Sequence, residues 1–246
     1  MDKIKGKVAL VTGANRGIGK AFVEELLAAG AARIYATARQ IATLDPLVAQ
    51  GGGRVIAVAL DVTDPQAIND VAGAHGDVEI LINNAGIANF AGVVSATDAT
   101  AARAEMETNY FGVFNMVRAF SDALKANGGG AIINMSSIAG HVNFPVLGSY
   151  SASKAAVHSL TQSVRAELAA QGTHVMGVYP GPVDTSMAES FPMDKTDPNH
   201  VVKTILSALE AGDEDVYPDP ASDQMHQGIL NDPKAMEREA GQMLPA

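Results

Sequence analysis

Short β-rich runs alternate along the chain with longer stretches whose apolar residues recur at helical spacing. Residues 7–12 (K-V-A-L-V-T), 33–38 (R-I-Y-A-T-A), 54–60, 78–82, 131–135, 173–179 and 215–217 read as strands. A first helix starts near Ile18, carries Phe22, Leu26 and Leu27, and stops at Gly30. A second starts near Asp64, where an Asp-Pro pair suits an N-cap with proline at the first helical position. Residues 100–127 predict a long helix with Met106, Phe111, Phe114 and Phe120 among its apolar positions. Residues 150–170 predict another, with Val157, Leu160, Val164 and Leu168 on one side and alanines on the other. A last helix is expected over 198–210. Alternation of this kind predicts an α/β fold: one domain over 1–246, with a doubly wound parallel sheet and helices on both faces. Residues 186–200 read as an irregular flap over a pocket, and the polar tail 218–246 carries no clear pattern.

Composition narrows the partners. With 47% hydrophobic and 18% charged residues, the chain can bury a large core and is not disordered. A net charge of −10 and the lack of a basic run argue against nucleic acid. There is no cysteine, and the six histidines show no ligand spacing, so no metal site is expected. The first residues lack an apolar signal core, and no apolar run reaches membrane-spanning length; the expectation is a soluble, cytoplasmic protein.

Residues 13–19 read G-A-N-R-G-I-G and lie between the first strand and the first helix. Gly13 permits a tight turn, Gly17 lets backbone amides approach a pyrophosphate, and Gly19 lets helix and strand pack closely. In that context the turn predicts a Rossmann-type dinucleotide site. An NAD site usually carries Asp or Glu at the end of the second strand, on the adenosine ribose. Here Ala38 and Arg39 stand there, and Arg16 sits in the glycine turn. Two guanidinium groups suit a 2′-phosphate, so NADP(H) is the expected cofactor. The fourth strand ends in N-N-A-G (Asn83–Gly86), where small residues let a ligand approach and asparagines can tie strands together. Asn109 falls within a helical pattern that it disfavours, either satisfied structurally or placed for function.

The fifth strand ends in two serines, Ser136 and Ser137, and Tyr150 and Lys154 follow four residues apart. On a helix those two side chains share a face. A phenol of pKa about 10 is a poor acid or base at neutral pH, and an ammonium beside it favours the phenolate. Val142, Phe144, Leu147, Phe90, Met187 and Phe191 could line an apolar pocket, with Asn143 and His141 as polar contacts.

The segments T-G-A-N-R-G-I-G, D-V (Asp61-Val62), N-N-A-G, Asn109, the serine pair, Y-S-A-S-K (150–154) and P-G-P-V-D-T (180–185) occur in one order. In that order and spacing, across about 7–185, the chain resembles the short-chain dehydrogenase/reductase family. The resemblance implies Tyr150 as catalytic acid/base, and Lys154 as the residue that lowers its pKa and binds the nicotinamide ribose. Ser137, thirteen residues before the tyrosine, is the implied third catalytic residue, and Asn109 the residue of a helix kink that holds a water in a proton relay. It further implies NADP(H) contacts from Gly13, Asn15, Arg16, Gly17, Ile18 and Gly19. Arg39, Asp61, Val62, Asn83, Ala85, Gly86, Pro180, Gly181, Val183 and Thr185 are implied to complete the cofactor site. The implied activity is hydride transfer between nicotinamide and a small-molecule ketone, aldehyde or secondary alcohol. Alternatives are a hydroxysteroid or 3-oxoacyl substrate, or a non-catalytic cofactor-sensing protein. A homotetramer is expected through the helices at 100–127 and 150–170, with a dimer as fallback.

Overall fold

The computed structural model describes residues 2–189 and 192–245. Its seven-stranded sheet comprises β1 (Val8–Val11), β2 (Arg33–Ala38), β3 (Val55–Ala59), β4 (Ile80–Asn83), β5 (Ala131–Met135), β6 (His174–Val178) and β7 (Asp215–Val216). The strands run in the order β3-β2-β1-β4-β5-β6-β7, and every neighbouring pair is parallel. Helices α1 (Gly17–Ala28), α2 (Asp45–Gln50) and α7 (Pro198–Ala211) supply side chains to one face. On the other face lie α3 (Pro65–Ala74), α5 (Gly112–Ala126) and α6 (Gly148–Leu168). Successive strand residues divide between the two cores: Ile80 and Ile82 enter the first, Leu81 the second. That is why these strands are apolar throughout instead of alternating. Phe22 and Phe120, fully buried on opposite faces, each contribute about 1.5–3 kcal/mol by leaving water. No helix among the described residues is long and apolar enough to cross a membrane.

Two departures from the sequence reading matter for the site. The helix expected over 100–127 is broken into α4 (Thr100–Glu105), a π-helical turn (Met106–Phe111) and α5, with Asn109 inside the wide turn. The tail is not irregular: it forms α8 (Pro220–Asn231) and α9 (Pro233–Ala240). Each starts behind an aspartate cap, Asp219 accepting from Ser222 N and Asp232 from Ala235 N, with proline in the first turn.

Candidate active site

The strand order turns back on itself between β1 and β4, where connections leave towards opposite sides. Open parallel sheets bind ligands at such a point, beyond the carboxyl ends of the strands. A cavity of about 630 Å³ opens there.

Its inner half is built by the glycine turn. Thr12 Oγ1 accepts from Asn84 N at 2.9 Å and Ala85 N at 3.0 Å, and Asn84 Nδ2 donates to Thr12 O at 2.8 Å. The turn is thereby locked to the end of β4. A Cβ placed on Gly19 would lie 2.1 Å from Gly13 O, so only glycine lets α1 start this close to β1. Gly17 adopts φ +52, with Thr185 against it. The α1 N-terminus has no side-chain cap, which leaves its first amides available to an anion. Asn15, Arg16, Ile18, Ala38, Arg39, Asp61 and Val62 continue this half of the lining. Asp61 is oriented by Thr63, whose N and Oγ1 both donate to its Oδ1. Arg16 and Arg39 are both exposed, and neither guanidinium has a carboxylate partner among the described residues. A cradle of glycines, free helix amides and two unpaired guanidinium groups fits a phosphorylated dinucleotide.

The outer half carries the candidate chemistry. Tyr150 and Lys154 lie one turn apart on α6 and both line the cavity, as does Ser137. Ser136 Oγ donates to Lys154 O at 2.8 Å and is committed to holding α6. Ser137 Oγ donates to Pro180 O at 3.3 Å and accepts from Ala139 N. Lys154 is buried, and Nζ donates to Met135 O at 2.8 Å, 5.7 Å from the centre of the Tyr150 ring. Burial pushes the Tyr150 phenol up to about 12, opposed by a hydrogen bond from Ser137 and reinforced by the charge of Glu105. Burial likewise pulls the Lys154 ammonium down to about 8. Desolvation penalises both charged forms, and the ammonium is turned towards a carbonyl.

Of the cofactor residues expected from sequence, Gly13, Asn15, Arg16, Gly17, Ile18, Gly19, Arg39, Asp61, Val62, Ala85, Gly86, Pro180, Gly181, Val183 and Thr185 line the cavity. Asn83 does not. It is the last residue of β4, and its buried side chain donates sideways to Asn134 Oδ1 at 2.9 Å. One residue further along a strand reverses the face, so Asn84 reaches the cavity instead. Asn109 also stands behind the lining, fully buried. Its Oδ1 accepts from Ile87 N and its Nδ2 donates to Ile87 O and Ser153 Oγ, each at 2.9 Å.

The pocket residues divide similarly. Phe90, Phe144, Leu147 and Met187 line the outer half, whereas Val142 is packed away and Asn143 donates to Gly148 O. Phe191 lies outside the described residues. His141 faces away from the cavity, its ring 4.5 Å from those of Tyr179 and His158 and its Nε2 3.4 Å from Tyr217 Oη. Met193, within the flap expected over 186–200, lines the cavity, whereas sequence reasoning missed the contributions of the tail, Ala221, Met225 and Met243. The tail reaches the pocket because Val146 N donates to Met243 O at 2.9 Å, while Gly181 N donates to the buried cap Asp219 at 2.8 Å.

Residues 7–196 match the family model described as short chain dehydrogenase. The galactitol 2-dehydrogenase (L-tagatose-forming) of Cereibacter sphaeroides is 41% identical over 191 residues, covering 75% of this chain and 74% of that protein. A short chain dehydrogenase from Burkholderia cenocepacia J2315, solved in complex with NADP, is 43% identical. It superposes with a TM-score of 0.92 over 97% of this chain and 98% of the other. A second solved structure, from Burkholderia phymatum in complex with NAD, is 25% identical with a TM-score of 0.85, covering 100% and 98% of the two chains. The order of motifs, the parallel sheet with its cavity at the turning point, and the match over most of the chain agree: the protein belongs to the short chain dehydrogenase family of oxidoreductases.

Proposed function

We propose that this protein is an NADP(H)-dependent oxidoreductase acting on a ketone, an aldehyde or the matching secondary alcohol with an apolar body. The observation that carries this reading is the convergence of Ser137, Tyr150 and Lys154 on one cavity whose outer lining is Phe90, Phe144, Leu147, Met187 and Met225. Among the described residues of the cavity the cationic side chains are Arg16 and Arg39 in the inner half and Lys154, whose Nζ donates to Met135 O, so the apolar outer wall offers no further cation to a substrate carboxylate or phosphate. Arg16 and Arg39, with Ala38 in the place of an acid, support the phosphorylated cofactor, as does the NADP bound by the Burkholderia cenocepacia relative.

NADPH, when bound, supplies the hydride. Ser137 Oγ and Tyr150 Oη hold the carbonyl oxygen and polarise it. With its phenol held up to about 12, Tyr150 is protonated at neutral pH and acts as the general acid, giving its Oη proton to the oxygen as charge develops there. Lys154 Nζ stands beside Gly86, where an added Cβ would lie 3.5 Å away, and would hold the nicotinamide ribose. Methionines at the mouth (Met187, Met193, Met225, Met243) are pliable apolar walls, suited to ring or chain substrates of varied shape.

A scan of apolar ketones and aldehydes, with galactitol as a polyol control, tests the reading through NADPH and NADH consumption in parallel. Expected is turnover of apolar carbonyl compounds with NADPH preferred, and a loss of about 10²–10⁴-fold in Tyr150→Phe with cofactor binding retained. Absence of turnover with every carbonyl compound, or a Tyr150→Phe rate within about tenfold of wild type, overturns it.

A further inference from the structure

Glu105, the last residue of α4, is fully buried. No basic side chain pairs with it among the described residues. A carboxyl group in such a place is costly unless hydrogen bonds satisfy it. Two do: Oε1 accepts from Asn89 N at 2.7 Å, and Oε2 accepts from Ser149 Oγ at 2.5 Å. These donors lie in separate segments, the loop after β4 and the first turn of α6. Asn89 precedes Phe90, and Ser149 precedes Tyr150, and both following residues line the cavity. Phe90 has φ +50, a left-handed conformation that a bulky side chain keeps only when its surroundings fix it.

We propose that Glu105 is a positioning residue that sets the substrate pocket by holding, through one buried carboxyl group, the residue before Phe90 and the residue before Tyr150. It does not reach the cavity itself; its neighbours Ala104 and Thr108 do. Placing both bonds on one side chain couples the shape of the apolar wall to the placement of the general acid. A displacement of about 1 Å at a reacting group can cost about 10²-fold in rate, so the coupling bears on turnover as well as on affinity. The inference rests on the oxidoreductase reading for the roles of Tyr150 and the pocket, and on the hydrogen bonds alone for the positioning.

The variants separate these. In Glu105→Gln the amide oxygen can accept from Asn89 N while the amide nitrogen donates to Ser149 Oγ, whose hydroxyl reverses. Glu105→Leu keeps the volume and removes both bonds. Amide hydrogen exchange of the whole protein, read on peptides spanning 86–91 and 146–151, should accelerate about tenfold in Glu105→Leu with a β5 peptide unchanged. Acetophenone serves as the kinetic probe with NADPH. Glu105→Leu should raise its KM about fivefold and lower kcat about tenfold, with the KM for NADPH unmoved. Glu105→Gln should return every reading to within about twofold of wild type. Ser149→Ala cuts only the second bond and covers the case in which Glu105→Leu does not fold. It should lower kcat while leaving exchange at 86–91 unchanged. Wild-type exchange in both peptides of Glu105→Leu, Glu105→Gln as impaired as the leucine variant, or an unaltered kcat in Ser149→Ala would each overturn the proposal. A wild type that reduces no carbonyl compound removes the oxidoreductase reading, and the exchange arm still decides Glu105.

Discussion

Asn109 donates to Ser153 Oγ across 2.9 Å, from the π-helical turn into the face of α6 between Tyr150 and Lys154. Ser153 Oγ in turn donates to Tyr150 O at 2.7 Å. The same asparagine side chain pairs with both backbone groups of Ile87, so the π-helical turn, the loop after β4 and α6 meet on one buried amide. The wide turn is what places it there. An unbroken α-helix over 100–127 would rotate residue 109 relative to the residues that precede the turn.

Asn109→Ala should therefore lose stability as well as rate. It leaves the part-buried Ile87 N–H and C=O without their protein partner, and the loss of these bonds costs about 0.5–1.5 kcal/mol each. Urea unfolding measures this, and a midpoint equal to that of wild type would show that these bonds are replaced by water.

The strand–helix alternation was legible because each strand is apolar and each connection is punctuated. Four helices, α3, α7, α8 and α9, are capped by an aspartate followed by proline: Asp64-Pro65, Asp197-Pro198, Asp219-Pro220 and Asp232-Pro233. The pair that marks α3 at 64 also marks α8 and α9, but in the tail no apolar period accompanies it, so the polar composition hides both helices. Ser137, Tyr150 and Lys154, which line one cavity, stand out in the sequence because their spacing is local to one strand end and one helix. Asn83 was misplaced because face alternation at a strand's last residue decides which asparagine meets the ligand, and composition is blind to it. His141 was misplaced for a different reason. A histidine in a loop gives no sign of whether it turns towards a cavity or, as here, into the aromatic cluster of Tyr179 and Tyr217.

Cofactor choice should follow Arg39. Arg39→Asp removes one guanidinium from the cavity and places a carboxylate where NAD sites carry one. The ratio of kcat/KM for NADPH over NADH should fall by at least about tenfold, in keeping with about 1.5–3 kcal/mol for a hydrogen bond to a charged group. An unchanged ratio would mean that Arg39 does not read the 2′-phosphate.

Acid sensitivity should trace to His141. Burial, then the charges of His158 and His226, pull its imidazole down to about 4 from 6.5, with Asp215 acting the other way. Between those values the unfolded chain binds more protons than the folded one, so stability falls as pH drops from 6.5 towards 4. In His141→Gln the melting temperature should depend less steeply on pH in this window. Equal slopes would assign the effect to His75, His158 and His174, which burial lowers in the same direction.

The outer face of α6 predicts assembly. Ala152, Ala155 and Ser159 stand exposed there with Ala156 beside them, at spacings that put them in one stripe. Phe111 is 43% exposed at the start of α5, the neighbouring helix. Small side chains allow a second helix to approach closely, and the exposed Phe111 beside them offers an apolar side chain to such a partner. The opposite face of the same helix holds Tyr150 and Lys154, so a partner packed on α6 would brace those two cavity residues from outside. The expected state is a homotetramer, with a dimer through α5 and α6 as its smaller unit. Light scattering after size exclusion at micromolar concentration measures it, and a single species near the 25.4 kDa chain mass refutes it. Ala155→Arg, placing a charge in the middle of the stripe, should split the assembly and lower kcat. Loss of the assembly with kcat intact would show that α6 holds its site without a partner.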